Sequence, residues 1–267
     1  MNRTLFGRTL AAQAGKLLVI VVAIFQWGLL MPIVYSQFGV QFRELMDSGL
    51  IPEQFANFGG GNIFSLPGSI ALGFIHPISL TLTSVFAVGF ASSAIAGERQ
   101  RGTLEVILAR PLSRRVLYTT LLVATLLFIG LVIASLLAGT LVGAAAGGVL
   151  DEVDVGRYPL VWLNGWLLFG AIASIGLAAS VSFDRLSPAL GITLAVTIVS
   201  YFLQILGSLW PDAEVLQPYS LFHYLDPQAV LTGATDPFAF GILAAVAIAG
   251  VAIALAVFPR RDIAAPS

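Results

Sequence analysis

Side chains able to do chemistry are scarce in this chain, and they fall into two sets. The first is scattered through apolar stretches: His76, followed by Pro77, with Ser79 and Ser84 downstream, and the amides Gln26 and Gln204. A histidine base near a serine hydroxyl is the minimum for a proteolytic dyad. No Gly-x-Ser-x-Gly elbow, paired aspartates or metal-ligand cluster accompanies it, so catalysis and metal binding are not expected. Polar groups at membrane depth bond to neighbouring helices or line a path for substrate, and Gln26, His76 and Gln204 are the candidates for such a path. The second set is a dense cluster, residues 97–115, with five arginines and two glutamates: Glu98, Arg99, Arg101, Glu105, Arg110, Arg114 and Arg115. Nucleotide hydrolysis is excluded within the chain. A phosphate-cradling loop needs Gly-x-x-x-x-Gly-Lys-Ser/Thr, whereas the single lysine, Lys16, is followed by Leu17 and has Leu10 where the first glycine belongs.

The elements that hold these residues are membrane spans. Of 267 residues, 58% are hydrophobic and only 10% charged, and the mean hydropathy is +0.94. A soluble chain does not have this composition. A net charge of −1 without a large basic patch excludes nucleic acid as a partner. The absence of cysteine excludes disulfides and thiolate sites. Charge-free stretches run over 17–42, 54–97, 116–150, 158–183, 186–211 and 237–259, and each exceeds the roughly 20 residues that cross a bilayer. Residues 55–68 are rich in Gly, Asn and Pro and read as loop. The expectation is therefore an all-α integral membrane protein, one transmembrane domain over 1–267, with spans near 17–36, 69–96, 116–146, 160–183, 188–209 and 237–258. No soluble domain fits between them, and the first span, long and without a following cleavage site, is expected to be retained.

Orientation follows from the arginines. With the N-terminus in the cytoplasm, Arg3, Arg8, Lys16, Arg99, Arg101, Arg110, Arg114, Arg115, Arg185, Arg260 and Arg261 lie inside, and only Arg43 and Arg157 lie outside. Eleven against two places both termini in the cytoplasm. Residues 1–16 alternate apolar and basic positions and predict a short helix on the inner membrane surface. The aromatic and proline-rich stretch 210–236 predicts short helical pieces at the outer interface, where rings with polar tips are satisfied, and is a candidate exit gate.

Within the charged cluster, Thr103 is a candidate N-cap. Leu104, Ile107 and Leu108 share a face at i, i+3 and i+4, Pro111 forbids continuation, and Ser113 caps the third span. This predicts a small helix, too short to span, whose apolar face must dock against something.

The run Gly97-Glu98-Arg99-Gln100-Arg101-Gly102-Thr103-Leu104-Glu105, with Ile107-Leu108, Pro111 and Ser113-Arg114-Arg115 behind it, resembles the signature of the ABC-2 type permeases, membrane subunits of bacterial and archaeal ABC exporters. The motif covers about 20 residues, and its place between the second and third of six spans extends the likeness to the whole chain. The Gly-Lys pair that often follows the arginines in that family stands here as Thr120-Leu121. The resemblance implies a cytoplasmic coupling helix contacting a separate ATPase subunit through Glu98, Arg99, Arg101, Gly102, Thr103, Leu104, Glu105, Ile107, Leu108 and Arg110, with Asp184 and Arg185 as a second cytoplasmic contact. It implies no cofactor in this chain, ATP and Mg being bound by the partner. It further implies a second permease copy or homologue in a dimer, a plasma-membrane location among lipid, and export of a hydrophobic or amphipathic substrate. The rival is an ATP-independent membrane protein, an assembly factor or small secondary carrier, for which charged mid-membrane residues or an internal repeat would speak; the sequence has neither.

Overall fold

The computed structural model describes residues 1–48, 65–109 and 112–261, and every regular element among them is helical. Helix α1 runs Arg3–Asp47 without a break. The surface helix expected over 1–16 and the span expected over 17–36 are thus one element, which runs on past 36 to Asp47. Gly7 and Gly15 cost about 1 kcal/mol each relative to alanine, too little to break a helix that is capped at its start and packed against the helix Arg114–Ala146 further on. The cap is Asn2, whose Oδ1 accepts from Leu5 N (2.9 Å). Most of the expected first loop, 49–64, lies outside the described residues.

The second span, expected over 69–96 as one helix kinked at Pro77, is bent there and broken into shorter pieces. Helices α2 (Leu66–Ile75) and α3 (Pro77–Ser84) meet at His76 with a bend of 46°. Pro77 has no N–H, so the carbonyl of Gly73 loses its helical donor. Trp27 Nε1 fills the vacancy at 3.0 Å, the Ser79 hydroxyl donates to the same oxygen, and Tyr201 OH donates to Ile75 O at 3.2 Å. The bend is therefore held from three sides. Beyond α3 the chain passes through a π-turn, Val85–Phe90, and a single helical turn, α4 (Ala91–Ser93). Phe86 and Phe90 both seat against Phe128, with centroids 4.9 and 5.4 Å away.

After the short helices α5 (Ala96–Gln100) and α6 (Thr103–Leu108) come α7 (Arg114–Ala146), α8 (Tyr158–Ser182) and α9 (Leu186–Leu209). Two 3₁₀ segments, Pro211–Tyr219 and Leu221–Tyr224, and α10 (Pro227–Thr232) then lead to α11 (Pro237–Arg260). Five helices are long and apolar enough to cross a membrane, six if the bent pair counts as one span.

Helices α7 and α8 form the centre, 56% and 67% buried in their most apolar windows against 17% for α9 and α11. The outer helices turn large apolar side chains such as Ile198, Phe202 and Ile248 outward, as a lipid-facing surface requires. Helices α1 and α7 pack at backbone distance. A Cβ on Gly139 or Gly143 would collide with the carbonyls of Phe25 and Leu29, and one on Gly28 with the carbonyl of Leu136. Gly139 and Gly143 sit four apart on α7, the spacing that lets membrane helices approach closely.

Both ends of the bundle are tied. At the basic end Asn2 N donates to Thr120 Oγ1 (2.9 Å), and Arg114 donates to the carbonyls of Phe258 (3.1 Å) and Arg261. Residue 2, the start of α7 and the end of α11 therefore meet there. At the opposite, acidic end Tyr35 OH donates to Glu152 Oε2 (2.7 Å). The 210–236 stretch is built of short helical pieces and folds back on the bundle: Ser220 Oγ donates to Ser200 O (2.6 Å), and Asn164 bridges Tyr224 O and Asp226 N.

Candidate functional site

Residues 97–109 form a compact, internally bonded unit. Arg101 N bonds Gly97 O (3.2 Å) and Gly102 N bonds Arg99 O (2.9 Å), closing α5 with Gly102 in the left-handed region at φ 71°. A side chain there would be strained, which gives a physical reason for glycine at this position. Gly102 also serves as the N-cap of α6. Thr103, the expected cap, is instead the first helical residue, and its hydroxyl bonds Glu98 O (3.0 Å) and the Glu98 carboxylate. Glu98 also pairs with Arg101, so Glu98, Arg101 and Thr103 lock α5 to α6. Ser113 does cap α7, accepting from Val116 N at 3.3 Å. Arg110 and Pro111 lie outside the described residues.

The apolar face of α6 exists as the spacing predicts, but it turns inward. Leu104 is buried, at 2% exposure, and Ile107 and Leu108 pack partly buried on the core. The expectation that this face waits for an external groove is corrected: the chain's own body covers it. What remains open on α6 is Thr103, Glu105 and Val106, the last 68% exposed.

Three side chains, Ser180, Gln100 and Asp184, fasten the loop to the corner between α8 and α9. Ser180 Oγ accepts from Ile95 N (3.0 Å) and Ala96 N (2.9 Å), satisfying donors that the break before α5 leaves free. Gln100 Oε1 accepts from Leu186 N (2.9 Å). Asp184 Oδ1 receives Arg99 at 2.8 Å and Arg261 at 2.6 Å. Burial pulls the Arg261 guanidinium below its ordinary pKa; Asp184 opposes that shift, and the like charge of Arg99 adds to it. One carboxylate thus gathers the loop, the α8–α9 corner and the end of α11. Asp184 is engaged within the chain, while Arg185 beside it is exposed.

A family model described as ABC-2 family transporter protein matches residues 13–263. The chain belongs to the ABC-2 transporter family. This ABC-2 chain is also 26% identical over 205 residues to YhcI, an uncharacterized protein of Bacillus subtilis (strain 168), covering 68% of the chain and 65% of that protein's length. Family and helices together make it a multi-pass membrane protein, in bacteria one of the plasma membrane.

The candidate path residues of the ABC-2 chain do not converge. Gln26 is exposed on α1. His76 packs on Trp27 with the rings tilted by 38° and centroids 4.5 Å apart, and its Nδ1 accepts from Ile78 N (3.3 Å), capping α3. With Ser79 committed to Gly73, no serine–histidine dyad forms between them. Gln204 keeps a buried Oε1 without a partner among the described residues and lines a cavity of about 20 Å³ with Tyr201, Ser208 and Phe222, room for one water. That cavity takes in neither Gln26 nor His76. Among the described residues no group of three or more metal-ligating side chains occurs. Residues that the sequence did not single out, Ser180, Gln100 and Arg261, prove to position the loop. Their roles depend on partners about 80 residues away, a separation that leaves no local signal.

Proposed function

We propose that this ABC-2 chain is the permease subunit of an ATP-driven exporter, energised by a separate ATPase subunit that docks on the exposed side of α6. The observation that carries the reading is a short helix whose inner face is anchored in the bundle while Glu105 and Val106 stand free. A partner pressing on that face moves a braced lever. Through Asp184 and Ser180 the push reaches α8, α9 and α11 together, and through α4 and the π-turn it reaches the bent second span. In this reading both termini and the loop are cytoplasmic, two permease copies or homologues enclose the path, and ATP and Mg reside in the partner. The cargo is hydrophobic or amphipathic.

Two measurements test this. The absence of cysteine permits single cysteines at Ser113, Ser187, Val155 and Ala234. With the proposed orientation, the first two resist an impermeant thiol reagent in intact cells and the last two react; labelling of Ser113 from outside overturns it. In lipid vesicles the purified chain hydrolyses no ATP alone, and gains turnover and transport when its ABC ATPase partner is added. Transport with no ATPase present would favour the ATP-independent rival instead.

A further inference from the structure

A cavity of about 390 Å³ opens between the first helix and the 97–115 loop at the basic end. That is roughly a dozen waters at about 30 Å³ each. The charged residues of its lining, here called the rim, are Arg8, Lys16, Glu98 and Arg101, joined by polar side chains that include Gln13; Phe90, Leu117 and Leu121 are among the apolar ones, the wall. The rim carries three cations against one carboxylate, and that carboxylate is already held by Arg101 and Thr103. Gln13 Oε1 is buried without a partner among the described residues. The rim therefore offers positive charge for a phosphate and, at Gln13 Oε1, an acceptor for a headgroup hydroxyl, and the wall offers apolar surface.

Position narrows the occupant. Lys16 is the last charge before the charge-free run that begins at residue 17, so the rim stands where the apolar surface of the bundle starts, at headgroup depth. Arg8, Ala12 and Lys16 are spaced four apart and lie on one stripe of α1. Val19 and Val22, both exposed, continue the same stripe into the apolar zone, a surface along which an acyl chain can lie. We propose that this cavity binds the headgroup of an acidic phospholipid from the adjoining leaflet, its phosphate between Arg8, Lys16 and Arg101 and its chain along Val19 and Val22. Because Leu104 and Ile107 also line the cavity, the bound lipid buttresses α6 from behind. The site is independent of the exporter reading and its test needs no ATPase.

The test is retention of lipid by the full-length protein, reconstituted in nanodiscs of phosphatidylglycerol and phosphatidylethanolamine, extracted in mild detergent and weighed by native mass spectrometry. The wild type retains phosphatidylglycerol. Arg8→Gln with Lys16→Gln lowers retention roughly twenty-fivefold, about fivefold for each basic residue. Arg115→Gln with Arg260→Gln removes the same charge at the same end outside the cavity and retains the lipid. Ala12→Trp, which fills the cavity at an exposed helical position without changing charge, releases it. Equal retention by the two double variants, or retention by Ala12→Trp, overturns the proposal in favour of a diffuse basic surface. Displacement of the lipid by millimolar inorganic phosphate also overturns it, because the site would then take a free anion.

Discussion

Substituting Leu104 and Val106 separately tests whether α6 is anchored on one face and docked on the other. Leu104 is buried in the bundle and Val106, two positions on, is 68% exposed. Truncating a buried leucine costs about 2–5 kcal/mol through lost transfer energy and the cavity left behind. Leu104→Ala should therefore loosen the loop and lower the melting temperature of the isolated permease. Leu104→Asp should cost at least as much, since it removes the same apolar packing and sets a carboxylate against the core, with only the cavity beside α6 to supply water or a cation. Val106→Asp should leave thermal stability within about 0.5 kcal/mol, as surface changes do. If Val106 sits in an apolar contact with the ATPase, the same aspartate is desolvated only in the complex. A cost of about 2 kcal/mol corresponds to roughly thirtyfold weaker association. The assay pairs thermal unfolding of each variant alone with co-purification of the ATPase. Wild-type ATPase recovery and coupling by Val106→Asp would refute docking through this face, and unchanged unfolding of Leu104→Ala would refute the anchoring.

Three further outcomes are expected. Gly139→Val forces a branched side chain against the backbone of Phe25 and Leu29; at about 1–3 kcal/mol or more of overpacking, the yield of folded protein should fall sharply, while Gly191→Val, with open space around it, should be neutral. Asp184→Asn removes the charge that Arg99 and Arg261 share; with Asp184 largely exposed the stability loss should be about 1 kcal/mol or less, but hydrogen exchange in 97–109 and at the end of α11 should rise together, and a change confined to one segment would refute the shared hub. At the acidic end, burial pushes the carboxyl of Asp226 above its ordinary value of 3.8, with the Ala229 N–H and His223 opposing. An acid whose folded pKa is raised stabilises the fold below its unfolded pKa and loses that contribution as pH rises through the folded value, so Asp226→Asn, which can still cap α10, should gain stability near neutrality and flatten the dependence above pH 4. No change in slope in pH-dependent thermal unfolding would refute this.

Membrane character, the boundaries of most long helices, the short helix in the charged cluster and the family were legible in the sequence, because insertion energetics forbid charge within spans and a glycine-proline framed arginine motif is local. The same locality explains what was misread. A continuous α1 looked divided because Gly7, Gly15 and the basic residues mimic a surface helix; the bend at Pro77 was readable, but the groups that hold it, Trp27, Ser79 and Tyr201, two of them from other helices, were not. The Gly139-x-x-x-Gly143 spacing was readable, yet nothing local says that its partner is the backbone of α1.

Only the tertiary structure decided which way the α6 face turns. Leu104, Ile107 and Leu108 announce an apolar stripe whatever covers it, since a 3.6-residue period records that a face is buried and not by whom. Asp184 likewise reads as an exposed corner charge until Arg99 and Arg261 arrive from segments some 80 residues away on either side. Composition and period are properties of neighbouring residues, so the sequence by itself determined the elements and their solvent. Partners come from the packing of distant helices, so the bracing of the loop, and with it the surface left free for a second protein, was decided by the fold.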